Sequence, residues 1–243
     1  KKLTFASNAE FYARPDGLPG WQTAYGFEFE RDMDIVRNGD KEATNSNVNL
    51  IYKMPAEKTL TVGDYKRDLI ERLYLQMLNE RFTEITQKPD APFLAAGASK
   101  DAFFARNTEA FTLDANVKDG GIEEGTEALL KEARRVDQFG FLQPELDRAR
   151  QNLLRAYERS YAEKDKTQSG SFVEEYIGNF LRGETIPGID YEYKITQQLA
   201  PTITLADINK LASRWITDEN RVIIAQAPVK AGVALPTKAG ILA

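Results

Sequence analysis

The sequence predicts an α+β domain, with an antiparallel or mixed sheet and helices packed mainly on one face. Three observations carry that expectation. Val48-Asn49-Leu50-Ile51-Tyr52-Lys53-Met54 alternates, with Val48, Leu50, Tyr52 and Met54 on one face, until Pro55 ends it. The segment from Tyr65 to about Thr86 places Leu69, Leu73, Met77 and Leu78 at helical spacing, and Ile70, Tyr74, Leu75, Phe82 and Ile85 widen the stripe. The remaining elements follow as a hairpin, several helices and a last strand, the segregated order of an α+β fold.

Residues 1–27 hold Pro15, Gly17, Pro19 and Gly20 with little periodicity and read as a linker or irregular arm. Residues 28–36 read as an edge strand and Asn38-Gly39-Asp40 as a polar turn. Gly63-Asp64 offers an N-cap to the long helix, whose Leu75 lies in an all-round apolar stretch and is expected to be buried. Pro89-Asp90-Ala91-Pro92 forces a turn, and Phe93 to Ser99 with Thr108 to Val117 read as a hairpin. Ile122, Leu129, Ala133 and Val136 mark a helix ending near Gly140, and Pro144 suits the first turn of another, with Leu146, Ala149, Leu153, Tyr157 and Tyr161 as its stripe. The polar run 164–170 bends or interrupts that helix before Phe172, Val173, Tyr176, Ile177, Phe180 and Leu181 resume the period, which Gly183 closes. Tyr191 to Leu199 is a short helix, Thr204 with Asp207 forms a capping box for the next, and Val222-Ile223-Ile224-Ala225 is a final, central strand. The domain therefore spans residues 28–228, and 229–243 reads as a C-terminal linker.

The chain has 243 residues, 42% hydrophobic and 28% charged, enough for a sizeable core. Its net charge of −5 argues against nucleic acid as a partner, and no apolar stretch is long enough to span a membrane. Histidine and cysteine are both absent. That removes Ser-His-Asp and Cys-His triads, thiolate chemistry and zinc sites built on nitrogen or sulfur ligands. Oxygen-only metal binding, paired carboxylates and a lysine nucleophile remain.

Asp114 to Gly121 imitates a calcium loop but has Asp119 where glycine is needed and Gly125 where glutamate is needed, so it is set aside. Glu123-Glu124 reads as charge at a helix start. Phe103-Phe104, between the hairpin strands, offers an exposed apolar contact for a peptide, although folding back onto the core weighs more heavily. Arg134-Arg135 and the arginines at 148, 150, 155 and 159 stand among acidic residues as a solvated, ion-paired face.

Four ordered motifs carry a family resemblance: Asp40-Lys41-Glu42-Ala43-Thr44; Leu78-Asn79-Glu80-Arg81-Phe82 followed by Pro89-Asp90-Ala91-Pro92-Phe93; Gly188-Ile189-Asp190-Tyr191-Glu192-Tyr193; and Thr217-Asp218-Glu219-Asn220-Arg221-Val222. Over about residues 28–240 the chain resembles the second, non-catalytic domain of the pitrilysin or insulinase-like (M16) zinc peptidases, of the bacterial long-chain type. The resemblance implies a clamshell of two halves, each of two similar α+β domains, around a chamber where unfolded peptides are cut. It also implies zinc in the parent enzyme, held by an inverted His-x-x-Glu-His helix and a distal Glu upstream of residue 1. None of those ligands carries over to this chain, so no catalytic or metal-binding residue is assigned and no cofactor is expected in this segment. The family binds substrate with an Arg and a Tyr in the last domain of its second half. Arg81 begins a comparable turn, but Phe93 stands where the tyrosine would be wanted, which places this segment in the first half as wall and scaffold.

The expected function is thus a non-catalytic domain of a zinc metalloendopeptidase, with Phe93, Phe103 and Phe104 as candidate peptide contacts. Its partners would be the upstream zinc-bearing domain, the downstream half and unfolded peptides. The alternative is a free-standing, catalytically dead subunit that binds peptides or holds a complex together; an inverted zinc motif encoded before Lys1 separates the two. The resemblance implies the periplasm or cell envelope of a bacterium. The apolar periods are complete within residues 28–228 and no element visibly lacks a partner, so the domain is expected to fold by itself. A single cooperative thermal transition of the chain is the expected result, and a dye-binding molten state without one would contradict it.

Overall fold

The computed structural model describes residues 35–103, 105–217 and 220–242. The strands are β1 (Ile35–Asp40), β2 (Ser46–Pro55), β3 (Ala95–Phe103), β4 (Ala105–Val117) and β5 (Arg221–Pro228). The helices are α1 (Val62–Thr86), α2 (Ile122–Phe139), α3 (Gln143–Ala162), α4 (Ser169–Arg182), α5 (Ile189–Leu199), α6 (Leu205–Trp215) and α7 (Lys238–Leu242). Among the described residues the strands form one mixed sheet in the order β1-β5-β2-β4-β3, with β1 parallel to β5 and the other pairs antiparallel.

Register explains why the alternating strands form one core face. Leu50 lies opposite both Leu113 and Ile223, Val48 opposite Ala115 and Ala225, and Tyr52 opposite Phe111. Period-2 alternation then turns all of these to the same side, where each is buried. The other face presents Asn47, Asn49 and Lys53 on β2 and Thr112, Asp114 and Asn116 on β4, so it is largely polar. The helices accordingly gather on the apolar face. Leu69, Leu73, Tyr74, Met77, Leu78 and Phe82 bury α1 in the core, and α2 comes so close to β4 that a side chain at Gly125 would strike Val117. Gly140 ends α2 at φ +71, and Asn209 on α6 accepts the next backbone N–H, from Phe141, at 3.0 Å.

Several expectations are corrected. Thr61, not Gly63-Asp64, is the N-cap of α1: its hydroxyl accepts from Asp64 N while the Asp64 carboxylate accepts from Thr61 N, so the capping box begins ahead of the glycine. The Asn38-Gly39-Asp40 turn is instead the end of β1, tolerable there because an edge strand satisfies only one ladder, here to β5. The edge strand expected at 28–36 and the arm at 1–27 fall almost wholly outside the described residues. The expected linker at 229–243 carries α7, which packs on α2 and buries Ile241. The polar run before α4 does break the helix, through a 3-10 turn at Lys164–Lys166. Among the described residues the expectation that no element lacks a partner fails at α4, whose apolar stripe is exposed.

Leu75 is half-buried, not enclosed, because the core occupies only one side of α1. Leu73→Ala is therefore expected to cost about 2–5 kcal/mol in denaturant unfolding and Leu75→Ala about 1 kcal/mol. Equal losses would mean that α1 turns a different side to the sheet.

Candidate functional site

Among the described residues, two clusters of charged side chains reach into the interior. In the first, Lys100 on β3 lies opposite Phe111 and therefore shares its core-facing side of the sheet. Its Nζ is 2.8 Å from Glu71 Oε2 on α1, 2.9 Å from Glu109 Oε2 on β4 and 3.8 Å from Glu57 Oε2, and it stands 5.8 Å from the centre of the Trp215 ring. Arg214 donates to Glu57 at 2.7 Å, and Arg67 lies 3.8 Å from the other oxygen of that carboxylate. Burial pulls the Lys100 ammonium down, but the bonds to Glu71 and Glu109 outweigh it and hold the group above the ordinary lysine value. Burial pushes the Glu71 carboxyl up despite its bond to Lys100, and repulsion from Glu57 and Asp68 adds to that.

A raised carboxyl is a common mark of acid–base chemistry. Here the side chains of Lys100 and Glu71 are only 8% and 10% exposed, which leaves a substrate no approach. The cluster is a closed ion network that joins β3, β4, α1 and, through Arg214, α6.

The second place is Arg81, from the Leu78-Asn79-Glu80-Arg81-Phe82 motif. Its guanidinium donates to Glu145 at 2.7 and 2.9 Å, to Glu132 at 2.9 Å and to the Gly140 carbonyl at 3.2 Å, and it lies 4.8 Å from the Phe141 ring centre. Every bond made by Arg81 ties α1 to α2, α3 or the turn between them, so its use is structural. Asn79 of the same motif has a similar task. Its amide accepts from Ala98 N at 2.7 Å and donates to Ala98 O at 2.9 Å, satisfying both backbone groups on β3. Composition could not reveal these partners, because the ion-pair residues are 51 to 64 positions apart.

Of the peptide-contact candidates, Phe93 is 2% exposed and meets Phe82 edge-on at 6.2 Å. It is a core residue that no peptide can reach; its neighbour Leu94, 59% exposed, takes the outward position. Phe103 is half-buried at the end of β3, where the hairpin register shifts between Ala102 and Phe103. Phe104 lies outside the described residues. The arginines of α3 divide: Arg148 pairs with Glu80 at the surface, whereas Arg150 turns inward and donates to the carbonyls of Ala200 and Ile203.

A zinc site built on nitrogen or sulfur ligands does not fit this chain. Its sequence has neither imidazole nor thiolate, and among the described residues no group of three or more possible ligands is placed to hold a metal. The carboxylates gathered near one point, Glu57, Glu71 and Glu109, already surround an ammonium.

Removal of that ammonium would leave Glu71 buried and charged. Lys100→Met is expected to cost about 3–5 kcal/mol at neutral pH. Loss of the cation raises the folded-state pKa of Glu71 further, so folding binds a proton and the penalty shrinks as pH falls through the carboxylate range. Denaturant unfolding of both proteins at pH 7 and pH 4 checks this; a penalty that grows on acidification would show that the carboxylates do not depend on Lys100.

No family model matches the chain. A zinc protease PQQL-like protein of Arabidopsis thaliana is 30% identical over 192 residues, covering 79% of this chain and 17% of that protein. The chain thus spans about one sixth of that relative. The solved first half of the periplasmic protease PqqL from Escherichia coli superposes with a TM-score of 0.75 at 16% identity, covering 82% of this chain and 42% of that one. A peptidase M16 inactive domain from Pseudomonas fluorescens superposes at 0.54 with 13% identity, covering 84% and 45%. In sequence the chain is similar to part of a zinc protease PQQL-like protein, and in fold it is similar to domains of M16 peptidases.

Proposed function

We propose that the chain is a non-catalytic domain of a longer zinc metalloendopeptidase, forming part of the wall of a peptide-enclosing chamber and a scaffold for an upstream zinc-bearing domain. The observation that carries this reading is the pairing of an M16-like fold with a sequence that has no histidine. The zinc chemistry of such a protease needs imidazole and carboxylate ligands, so it must come from elsewhere in the polypeptide. The internal use of the charged groups supports the same reading: Lys100, Glu71, Arg81 and Glu132 are spent on holding elements together. The 17% share of the Arabidopsis relative favours a piece of a longer chain over a free-standing subunit. The E. coli neighbour is periplasmic by description, and the same compartment, or the cell envelope, belongs to this reading.

Phe103 is the remaining described candidate for touching the peptide. The bulged end of β3 carries it beyond the ion network, and an aromatic side chain there would contribute apolar grip on an unfolded segment without taking part in bond cleavage.

The test is hydrolysis of a quenched fluorescent peptide. The 243-residue chain should neither retain zinc through dialysis nor cut the peptide, and the polypeptide that joins it to its upstream domain should show chelator-sensitive cleavage faster than the upstream domain alone. Within that longer polypeptide, Phe103→Ala should raise KM several-fold with kcat nearly unchanged, the pattern of lost uniform binding. Chelator-sensitive cleavage by the 243-residue chain alone would overturn the reading.

A further inference from the structure

The ammonium of Lys100 serves two buried carboxylates at once. Glu71 on α1 and Glu109 on β4 bond the same Nζ at 2.8 and 2.9 Å, so their charges are held within about 6 Å of each other with one cation between them. The two are not equally supported. Glu109 also accepts the Glu57 backbone N–H, through Oε1, at 3.3 Å. Glu71 Oε1 is buried with no hydrogen-bond partner. Burial therefore acts on the Glu71 charge with Lys100 alone bonded to it, which is why this carboxyl is the one pushed up from its ordinary value.

The groups that face Glu71 do not supply a second counter-charge. Arg214 pairs with Glu57, and Arg67 is shared among Glu57, Asp64 and Asp68. Glu57 and Asp68 themselves repel Glu71. Along the sheet, Phe111 and Tyr52 stand between Lys100 and Arg221, the next cation in the same row. Trp215 of α6 brings a ring near the ammonium but no charge.

Lys100 also sits where the fold is easiest to open. β3 is an edge strand of the sheet. Asn79 ties it to α1 at Ala98, and Glu71 ties it at Lys100, two residues further along. Beyond that point Asp101 and Ala102 are exposed and the hairpin register shifts. The end of an edge strand opens locally without unfolding the core. When this end lifts, Lys100 leaves α1 and Glu71 meets water, which returns the carboxyl to its ordinary affinity for a proton. The seated form then binds the proton more tightly than the lifted form, so by linkage a proton favours seating.

We propose that Glu71 makes the outer end of β3 a proton-operated latch, which seats against α1 when Glu71 is protonated and frays when Glu71 is charged. The direction is opposite to that of a surface ion pair, which acid loosens by neutralising its carboxylate. The latch works just above the ordinary glutamate range. Phe103 rides on this strand end, so acidification holds it in place. What that does for a peptide rests on the reading under Proposed function; the latch itself does not.

Amide exchange of the chain at pH 7 and pH 5, resolved by NMR and corrected for the intrinsic pH dependence of exchange, tests this. Protection of the Asp101 amide, opposite Ala110 on β4, is expected to rise several-fold on acidification. Glu71→Gln, which is neutral at either pH, is expected to hold Asp101 at its acid level at both. Unchanged or falling protection in the parent chain overturns the latch, as does a pH response that survives Glu71→Gln. An equal rise at Leu50 and Ile223, paired in the middle of the sheet, also overturns it, because that is a change in global stability. Should Glu71→Gln not fold, a carbon-13 titration of the Glu71 carboxyl in the unaltered chain decides. A midpoint above that of exposed glutamates that coincides with the midpoint of Asp101 protection supports the latch, and any other result overturns it. Peptide hydrolysis enters none of these measurements, so the latch and the protease reading fail separately.

Discussion

Tyr74 is the point at which the layers of this domain meet. Its ring stands edge-on to Phe111 on the sheet at 6.3 Å, to Phe141 after α2 at 5.3 Å and to Trp215 at the end of α6 at 5.0 Å. Trp215 in turn stacks on Phe111 at 5.0 Å. Edge-to-face contacts fix orientation as well as distance, so the angle at which α1 crosses the sheet, and with it the seats of α2 and α6, follows from this one aromatic group.

Around that apolar centre the molecule places its charges in closed networks. Lys100 answers Glu71 and Glu109 beside Trp215, and Arg81 answers Glu132 and Glu145 beside Phe141. Both cations lie near an aromatic ring that forms part of the same cluster. Each would be costly if it lost its partners, and each is inaccessible to a substrate. A domain that commits its buried charges in this way is suited to carrying load and shape, the task proposed for it beside a domain that holds the metal.

A consequence is that interaction surfaces must come from what the core leaves out. The exposed apolar face of α4 is one such leftover. The end of β3, where the hairpin register shifts between Ala102 and Phe103, is another. The two differ in kind: a rigid helix face suits a folded neighbour, whereas a hairpin end suits a passing segment of chain.

The sequence by itself determined the elements, because their signals are local. Alternation in 48–54 and 111–117, the stripe of α1, and the Thr204 and Asp207 capping box appear where expected. The absence of histidine and cysteine likewise decided, independently of any fold, which chemistry this chain cannot do. Tertiary structure alone decided what each residue is used for. Phe93 and Phe103 are equivalent as letters, but one faces Phe82 in the core and the other sits at a bulge. The stripes of α1 and α4 are equivalent as periods, yet only α1 finds a sheet to cover it. The sequence gives Arg81 no task of its own, and Glu132 and Glu145, far away in sequence, supply one by closing around it. Periodicity depends on neighbours along the chain, whereas burial and ion pairing depend on neighbours across space, and the second set exists only once the chain has folded.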